Sequence, residues 1–257
     1  MQVENVLELN NISFEGVFQN INIQLPHGQI YCLIGHVGSG KSLLMKIAAG
    51  LIEPTTGEVL LQDKSLYEIS RSNRLKIMER IGFLFQNTAL VSNMDIFDNV
   101  ALVLRYHTKL KEDEIADKVH FYLNKFMLTK KEHLMPSDLS LGEQKLAGFA
   151  RAMVNDPDIL ILDDPTVLID KKTMRFMTDL LEEYKEEQKT IFMSSNNTEV
   201  IFNISDKLGI LLDNTLKIQG EPYEIKYTEN QEIRELLSSI KIVKKGQVES
   251  EILKLLK

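Results

Sequence analysis

The chain has 257 residues, of which 44% are hydrophobic and 26% charged, so it has enough apolar side chains for a packed globular core. Its net charge of −7 argues against general nucleic-acid binding, which needs a basic surface, and we expect no nucleic-acid partner. The single cysteine, Cys32, excludes a disulfide framework and is typical of a protein of the reducing cytoplasm. The N-terminus lacks the features of a secretory signal, and no apolar run is long enough to span a bilayer. We therefore expect a cytoplasmic protein that reaches a membrane only through a partner.

The N-terminal quarter of the chain predicts short strands and one helix. Val6–Leu9 and Ile21–Leu25 alternate apolar and polar side chains, as strands with one buried face do. Residues 29–34 are an apolar run typical of a buried parallel strand, and residues 43–49 follow as a strong helix former. Residues 57–62 alternate again and predict a further strand.

Between the apolar run and the helix lies a phosphate-binding pattern that consists of Gly35, His36, Val37, Gly38, Ser39, Gly40, Lys41 and Ser42. Glycines let successive backbone N–H groups point at one phosphate, and the N-terminus of the helix adds partial positive charge. Lys41 would reach the β- and γ-phosphates, Ser42 would bind Mg²⁺, and Leu43 would add its backbone N–H. A glycine-rich turn without a ligand is the alternative, against which the flanking strand and helix argue. The pattern predicts a nucleotide site with Mg²⁺.

The rest of the chain alternates between helices and strands, with one long helical interruption. Residues 68–80 predict a helix and residues 81–85 a buried strand, whereas residues 94–155 carry apolar side chains at helical spacing. Alternation then resumes, with strands at 159–162, 190–193 and 208–212 and helices at 171–187 and 197–204. This order predicts an α/β fold, a phosphate-loop NTPase core into which an α-helical subdomain (about 90–155) is inserted. The last residues, from about 219, hold two amphipathic segments and are expected at the periphery.

Two carboxylates stand directly after the apolar strand at 159–162. Asp163 and Asp164 would therefore lie at the carboxyl end of a strand, where α/β proteins bind their ligands. Asp163 would orient Mg²⁺ or its water shell, and Asp164 would act as general base on the attacking water. Capping of a helix after a buried strand is the alternative for this pair.

The order of these motifs resembles that of the ATP-binding cassette (ABC) ATPase family. The resemblance rests on the phosphate loop, Phe85-Gln86, the signature segment Leu139–Gln144, and Leu162–Pro165. It covers about residues 5–220 and implies the ABC ATPase fold, with an N-terminal antiparallel β-subdomain beside the core. We accordingly expect an ABC ATPase domain at 1–220 and a C-terminal helical extension at 221–257.

The same resemblance implies partners and roles. A second copy of the chain would form a head-to-tail dimer, in which each ATP site joins the phosphate loop of one copy to the signature helix of the other. Gln86 would sense Mg²⁺ and water, as a metal-site and catalytic residue, and couple to the membrane partner. Ser140 and Gly142 would contact the γ-phosphate across the dimer, with help from the helix dipole. Asn196 stands where the family usually has a catalytic histidine.

Within the family, the chain is most similar to the MlaF-like ATPases of Mla/MCE phospholipid transporters. The similar segments are 83–100, 104–108, 134–140 and 230–237. They imply an MlaE-like membrane permease as partner, an MCE substrate-binding protein in the same complex, and a peripheral position on the cytoplasmic face of the inner or plasma membrane. Amino-acid importers share parts of these segments, so an ATPase subunit of another ABC importer is an alternative.

Four departures from the family pattern concern catalysis and adenine binding. Asp164 replaces a longer glutamate, Asn196 replaces the histidine, and Leu141 replaces the first signature glycine. The aromatic residue that stacks on adenine is missing; Phe14 or Phe18 could replace it, although phenylalanine is more often a core residue. These changes predict a reduced rate of hydrolysis.

Three functions remain open at this point. The first is an ATPase that powers lipid transport slowly, and the second a degenerate subunit that binds ATP as a switch. The third is one half of a heterodimer, which would divide the altered residues between two sites. Cassette proteins of translation or DNA repair, and small-molecule kinases, fit less well, because the former carry two cassettes or a long coiled-coil insertion and the latter lack the signature segment.

Overall fold

The computed structural model describes residues 5–167 and 169–242. The strands within these ranges are β1 (Asn5–Phe14), β2 (Phe18–Pro26), β3 (Ile30–Gly35), β4 (Thr56–Leu61), β5 (Lys64–Ser65), β6 (Ile81–Leu84), β7 (Ile159–Asp163), β8 (Thr190–Ser194), β9 (Lys207–Leu212) and β10 (Thr215–Gly220). The helices are α1 (Lys41–Ala48), α2 (Arg71–Met78), α3 (Ile96–His107), α4 (Glu112–Lys125), α5 (Leu141–Met153), α6 (Lys171–Glu186), α7 (Thr198–Ile204), α8 (Pro222–Lys226) and α9 (Gln231–Ile242).

Two sheets organise these elements. A four-stranded antiparallel sheet has the strand order β2-β1-β4-β5, and it is the β-subdomain that the resemblance implied. A six-stranded sheet has the order β10-β9-β3-β8-β7-β6, in which β9 to β6 are parallel and β10 is antiparallel to β9. The α/β architecture with separate antiparallel and parallel sheets confirms the fold class expected from the sequence.

The parallel sheet is buried on both faces, which explains its apolar strands. On β3, Tyr31 and Leu33 face a core that includes the antiparallel sheet and α1. Cys32 and Ile34 face the opposite core, which helices α3 to α7 complete. Cys32 is a fully buried free thiol, as expected for a small core residue.

The register of the parallel strands sets the position of the site. Leu33 on β3 pairs with Ser194 on β8, and Ser194 pairs with Asp163 on β7. The carboxyl ends of these three strands therefore meet at one edge, next to the loop that joins β3 to α1. Helices α3, α4 and α5 are inserted between β6 and β7.

Some boundaries differ from the sequence prediction. The helix expected at 68–80 begins only at Arg71, because the Ser70 hydroxyl caps it by accepting the Asn73 N–H. Strand β10 was not predicted at all. Its residues alternate between exposed and half-buried, so it is an edge strand with a weak apolar signal. Of the expected C-terminal extension, the structure describes α8 and α9, and residues 243–257 lie outside the described part.

Candidate nucleotide-binding site

The phosphate loop joins β3 to α1 in the geometry that the sequence pattern requires. Gly40, which precedes the first residue of α1, has a φ of 94°, a conformation that side chains disfavour. At Gly35, an added Cβ would overlap the carbonyl oxygen of Leu211 on β9. The loop therefore needs glycine at both positions, and α1 begins at Lys41 with its N-terminus turned toward the loop.

Polar groups of this loop are incompletely paired. The Lys41 ammonium donates to the carbonyl oxygens of Gly35 at 2.7 Å and His36 at 2.8 Å. Burial lowers the pKa of Lys41, and the carboxylates of Asp164 and Asp163 counteract this effect. The Ser39 hydroxyl is buried without a hydrogen-bond partner in the described part of the chain. Such a group indicates a site prepared for a polar ligand.

The two carboxylates at the end of β7 have different surroundings. Asp163 is 3% exposed, and its Oδ1 accepts a 2.9 Å hydrogen bond from the Ser194 hydroxyl. Asp164 has a φ of 46°, and its buried Oδ1 has no partner within the described residues. Burial raises the pKa of Asp164 to about 6, with Lys41 and Lys145 lowering it and Asp163 raising it further. Asp164 is thus a poorly solvated carboxyl group in an uncommon backbone conformation, as general bases often are.

Lys41 and the two carboxylates line one cleft of about 360 Å³. Its lining residues are Val37, Gly38, Gly40, Lys41, Ser42, Leu43, Lys46, Gln86, Asp163, Asp164, Ser194 and Asn196. The structure therefore brings together the phosphate loop, both carboxylates, Gln86 and Asn196, as the sequence predicted. It adds Lys46 and Ser194, which the sequence analysis missed.

The side chain of Gln86 is exposed in the cleft, while its main chain is hydrogen-bonded to a buried side chain of α5. Its carbonyl oxygen accepts a 2.6 Å hydrogen bond from the ammonium of Lys145, a residue of α5 that is only 4% exposed. Burial lowers the pKa of Lys145, and Asp164 and Asp163 act in the opposite direction. Nothing in the sequence analysis pointed to Lys145, although a lysine in an apolar stretch of helix was a usable signal.

The amide of Asn196 is turned toward the phosphate loop. With the orientation assigned from its hydrogen bonds, the amide nitrogen donates to Gly35 O at 3.1 Å and to Ser195 O at 3.2 Å. Both N–H groups are then in use. In this conformation Asn196 therefore has no amide N–H left to donate to a phosphate.

The signature residues do not line the cleft of their own chain. Ser140 is the N-cap of α5, where its hydroxyl accepts the Glu143 N–H and its own N–H donates to the Glu143 carboxylate. Leu141 is 57% exposed, and a Cβ on Gly142 would meet only Thr173 Oγ1, at 4.0 Å. This end of α5 is therefore an open helix N-terminus.

Both candidate adenine-stacking residues are at least partly buried. Phe18 is fully buried in the core, and Phe14 packs against it with ring centroids 6.4 Å apart.

In the described residues, no set of three or more His, Cys, Asp or Glu side chains forms a metal cage. No helix within the described ranges has both the length and the apolar character needed to cross a bilayer.

Comparisons with known proteins place the chain in one family. The family model described as "ABC transporter" matches residues 18–167. The intermembrane phospholipid transport system ATP-binding protein MlaF of Escherichia coli K12 is 31% identical over 243 residues, which are 93% of this chain and 90% of MlaF. The probable ribonucleotide transport ATP-binding protein mkl of Mycobacterium leprae is 32% identical over 88% of this chain and 65% of its own length.

Solved structures agree with this assignment. The dimeric ATP-binding cassette MJ0796, in a post-hydrolysis state with ADP and Pi, superposes with a TM-score of 0.79 and 26% identity over 84% of this chain and 98% of that one. The cassette cbiO1 from Clostridium perfringens, part of the ABC transporter complex cbiONQ, gives a TM-score of 0.75 and 26% identity over 91% and 94% of the two chains. The chain therefore belongs to the ABC transporter family, as one of its ATP-binding ATPases.

Proposed function

We propose that this chain is the ATPase subunit of a phospholipid transporter of the Mla/MCE type. It acts as a head-to-tail dimer on the cytoplasmic face of the membrane, with an MlaE-like permease and an MCE substrate-binding protein in the complex. The observation that carries the proposal is the match to MlaF over 93% of the chain. In this proposal residues 1–220 are the ATPase domain, and residues 221–257 are an extension.

The cleft fits a nucleoside triphosphate with Mg²⁺. The phosphate loop from Gly35 to Leu43 supplies backbone N–H groups, and the unpaired Ser39 hydroxyl is an additional polar group. Ser42, Gln86 and Asp163 offer the oxygen ligands that Mg²⁺ prefers, and ATP complexes need few protein ligands because phosphate oxygens and water complete the shell. Bound Mg²⁺ neutralises the charge that develops on the phosphates.

Each of the candidate site residues has a separate role in the proposed hydrolysis of ATP. Lys41 leaves the carbonyls of Gly35 and His36 to bind the phosphates. Asp164 accepts a proton from the attacking water, which Gln86 and Asn196 position. Ser140 and Gly142 of the second copy contact the γ-phosphate, since they do not line the cleft of their own chain.

The turnover rate is reduced relative to cassettes with the usual residues. Asp164 is one methylene shorter than glutamate, and a displacement of about 1 Å at a reacting group can lower the rate about a hundredfold. Asn196 already donates both amide hydrogens to backbone carbonyls. A second candidate function, an ATP-gated switch with little hydrolysis, is favoured by these same two observations.

Phosphate release by the purified chain, alone and with its co-purified membrane partners, tests the rate. Turnover above that of Lys41→Ala identifies a working ATPase, and faster turnover of Asp164→Glu shows that the short carboxylate limits it. Tight ATP binding without turnover in either setting supports the switch instead.

The substrate is tested by reconstituting the complex in vesicles with a fluorescent phospholipid. ATP-dependent movement of that lipid is expected, and movement that is unchanged in Lys41→Ala contradicts the proposal.

A further inference from the structure

Lys145 is a buried cation at the back of the cleft, in the second turn of α5. Its ammonium donates to Gln86 O at 2.6 Å and to Asp164 O at 3.4 Å. An ammonium has three N–H donors and no acceptor, so in a buried position it fixes the carbonyl groups around it. The two groups it fixes belong to residues whose side chains line the cleft.

Both of these residues need such support. Gln86 follows β6 and Asp164 follows β7, which are neighbouring parallel strands, so one side chain can reach both loops. Asp164 is held at a φ of 46°, a left-handed conformation that aspartate tolerates better than most residues but adopts only occasionally. A hydrogen bond to its carbonyl oxygen stabilises that conformation against relaxation.

A second cation attaches the same helix to the same loop. Arg151, also on α5, donates to Thr88 O at 2.5 Å and to Ala89 O at 2.7 Å. Thr88 and Ala89 both have positive φ, of 59° and 49°. Between the two attachment points lies Gly148, where an added Cβ would be 2.8 Å from Leu84 Cδ1. Helix α5 and the loop after β6 therefore pack closely and are joined by hydrogen bonds at two points.

We propose that Lys145 is a positioning residue for ATP hydrolysis. It holds the main chain of Gln86 and Asp164 so that both side chains face the cleft, and it connects this geometry to the helix that begins after Ser140. The inference rests on the roles proposed above for Gln86 and Asp164, and it does not depend on which molecule is transported. Because the bonds of Lys145 are to these two residues and not to the phosphate loop, its loss lowers kcat and leaves the affinity for nucleotide without Mg²⁺ unchanged.

The test compares Lys145→Met, which loses all donors, with Lys145→Gln, which keeps an uncharged amide donor. Lys125→Met is the matched control, since Lys125 pairs with Glu183 at 3.0 Å and neither residue lines the cleft. Steady-state phosphate release gives kcat and KM, calorimetry with AMP-PNP in the absence of Mg²⁺ gives affinity, and thermal melting reports folding. We expect kcat to fall at least about tenfold in Lys145→Met and less in Lys145→Gln, since small misplacements of reacting groups have large effects. AMP-PNP affinity stays within about twofold, and Lys125→Met behaves as wild type.

Wild-type kcat in Lys145→Met overturns the inference, and so does a loss of kcat matched by an equal loss of AMP-PNP affinity. If Lys145→Met does not fold, Lys145→Gln decides by the same criteria. Asp164→Asn, measured in parallel, separates the two proposals. Wild-type turnover of Asp164→Asn overturns the proposed base and the inference with it, whereas an inactive Asp164→Asn beside a fully active Lys145→Met overturns the inference alone.

Discussion

Ser194 and Asp163 form a buried hydrogen bond of 2.9 Å across the β7–β8 pair, with the serine hydroxyl as donor. The same hydroxyl accepts the backbone N–H of Asp164 at 3.0 Å. One fully buried side chain thus orients the proposed Mg²⁺ ligand and fixes the backbone that carries the proposed base. The carboxylate keeps its second oxygen for the metal, as expected of a ligand oriented by an outer partner.

Replacing Ser194 should therefore impair both stability and turnover. Ser194→Ala leaves a buried carboxylate oxygen and a buried N–H without their partner, which is expected to lower the free energy of unfolding by about 1–3 kcal/mol. Chemical denaturation measures this change, and phosphate release as a function of Mg²⁺ concentration should show a higher Mg²⁺ requirement. Ser238→Ala is the control, because Ser238 is exposed on α9 and its hydroxyl donates to Arg234 O of the same helix. An unchanged Mg²⁺ requirement in Ser194→Ala would contradict the role in metal binding.

Asp164→Asn should stabilise the nucleotide-free protein while it abolishes turnover. The pKa of Asp164 in the folded state, about 6, lies above its usual 3.8, so the carboxyl group favours folding when protonated and opposes it as the pH rises from about 4 to 6. Above pH 7 the ionised group opposes folding by at most about 3 kcal/mol, which asparagine removes. Asparagine also tolerates the positive φ at this position.

Thermal melting without nucleotide or Mg²⁺ checks this prediction. Each kcal/mol corresponds to about 2–4 °C for a chain of this size. The melting temperature of Asp164→Asn should exceed that of wild type at pH 8, and the difference should shrink at pH 5, where the wild-type carboxyl group is mostly protonated. An equal difference at both pH values would show that titration of Asp164 is not its cause.

The parts of the site that sequence analysis predicted are those that a short segment encodes by itself. The phosphate loop and Asp163 each follow an apolar strand, so their place at the carboxyl edge of a parallel sheet follows from chain order. Ser194 and Lys145 could not be placed in this way, because their partners lie on other strands and loops. The positive φ of Asp164 could not be predicted from the sequence either, since aspartate does not require that conformation.

In the fold, too, the elements encoded by a short segment were predicted and those that depend on tertiary contacts were not. The parallel strands were predicted because burial on both faces produces continuous apolar runs. Strand β10 was missed because an edge strand with exposed and half-buried residues has no such run, and its antiparallel pairing with β9 is a tertiary contact.

Gly82 and Gly142 should respond in opposite ways to alanine. At Gly82 on β6, an added Cβ would overlap Ala152 O and lie 2.8 Å from Leu160 Cδ2, so Gly82→Ala should lower the free energy of unfolding by about 1–3 kcal/mol or more through overpacking. At Gly142 the added Cβ meets only Thr173 Oγ1, at 4.0 Å, and alanine favours the helix by up to about 1 kcal/mol. Denaturant unfolding of both variants measures the contrast. Loss of stability in Gly142→Ala would mean that the N-terminus of α5 is packed against something in solution.

Leu141→Gly should accelerate turnover if the leucine side chain obstructs the ATP of a second copy. The side chain is 57% exposed at the first residue of α5, so its removal leaves no cavity. The free energy of unfolding should fall by no more than about 1 kcal/mol, the usual difference between glycine and a good helix former. Leu75→Gly on α2 is the control, since Leu75 is also an exposed helical leucine and does not line the cleft. Steady-state phosphate release measures the rate, and light scattering of the Asp164→Asn double variant with ATP measures dimerisation. Slower turnover with weaker dimerisation would instead show that Leu141 contributes an apolar contact to the closed dimer, and the reduced rate that we propose would then rest on Asp164 and Asn196 alone.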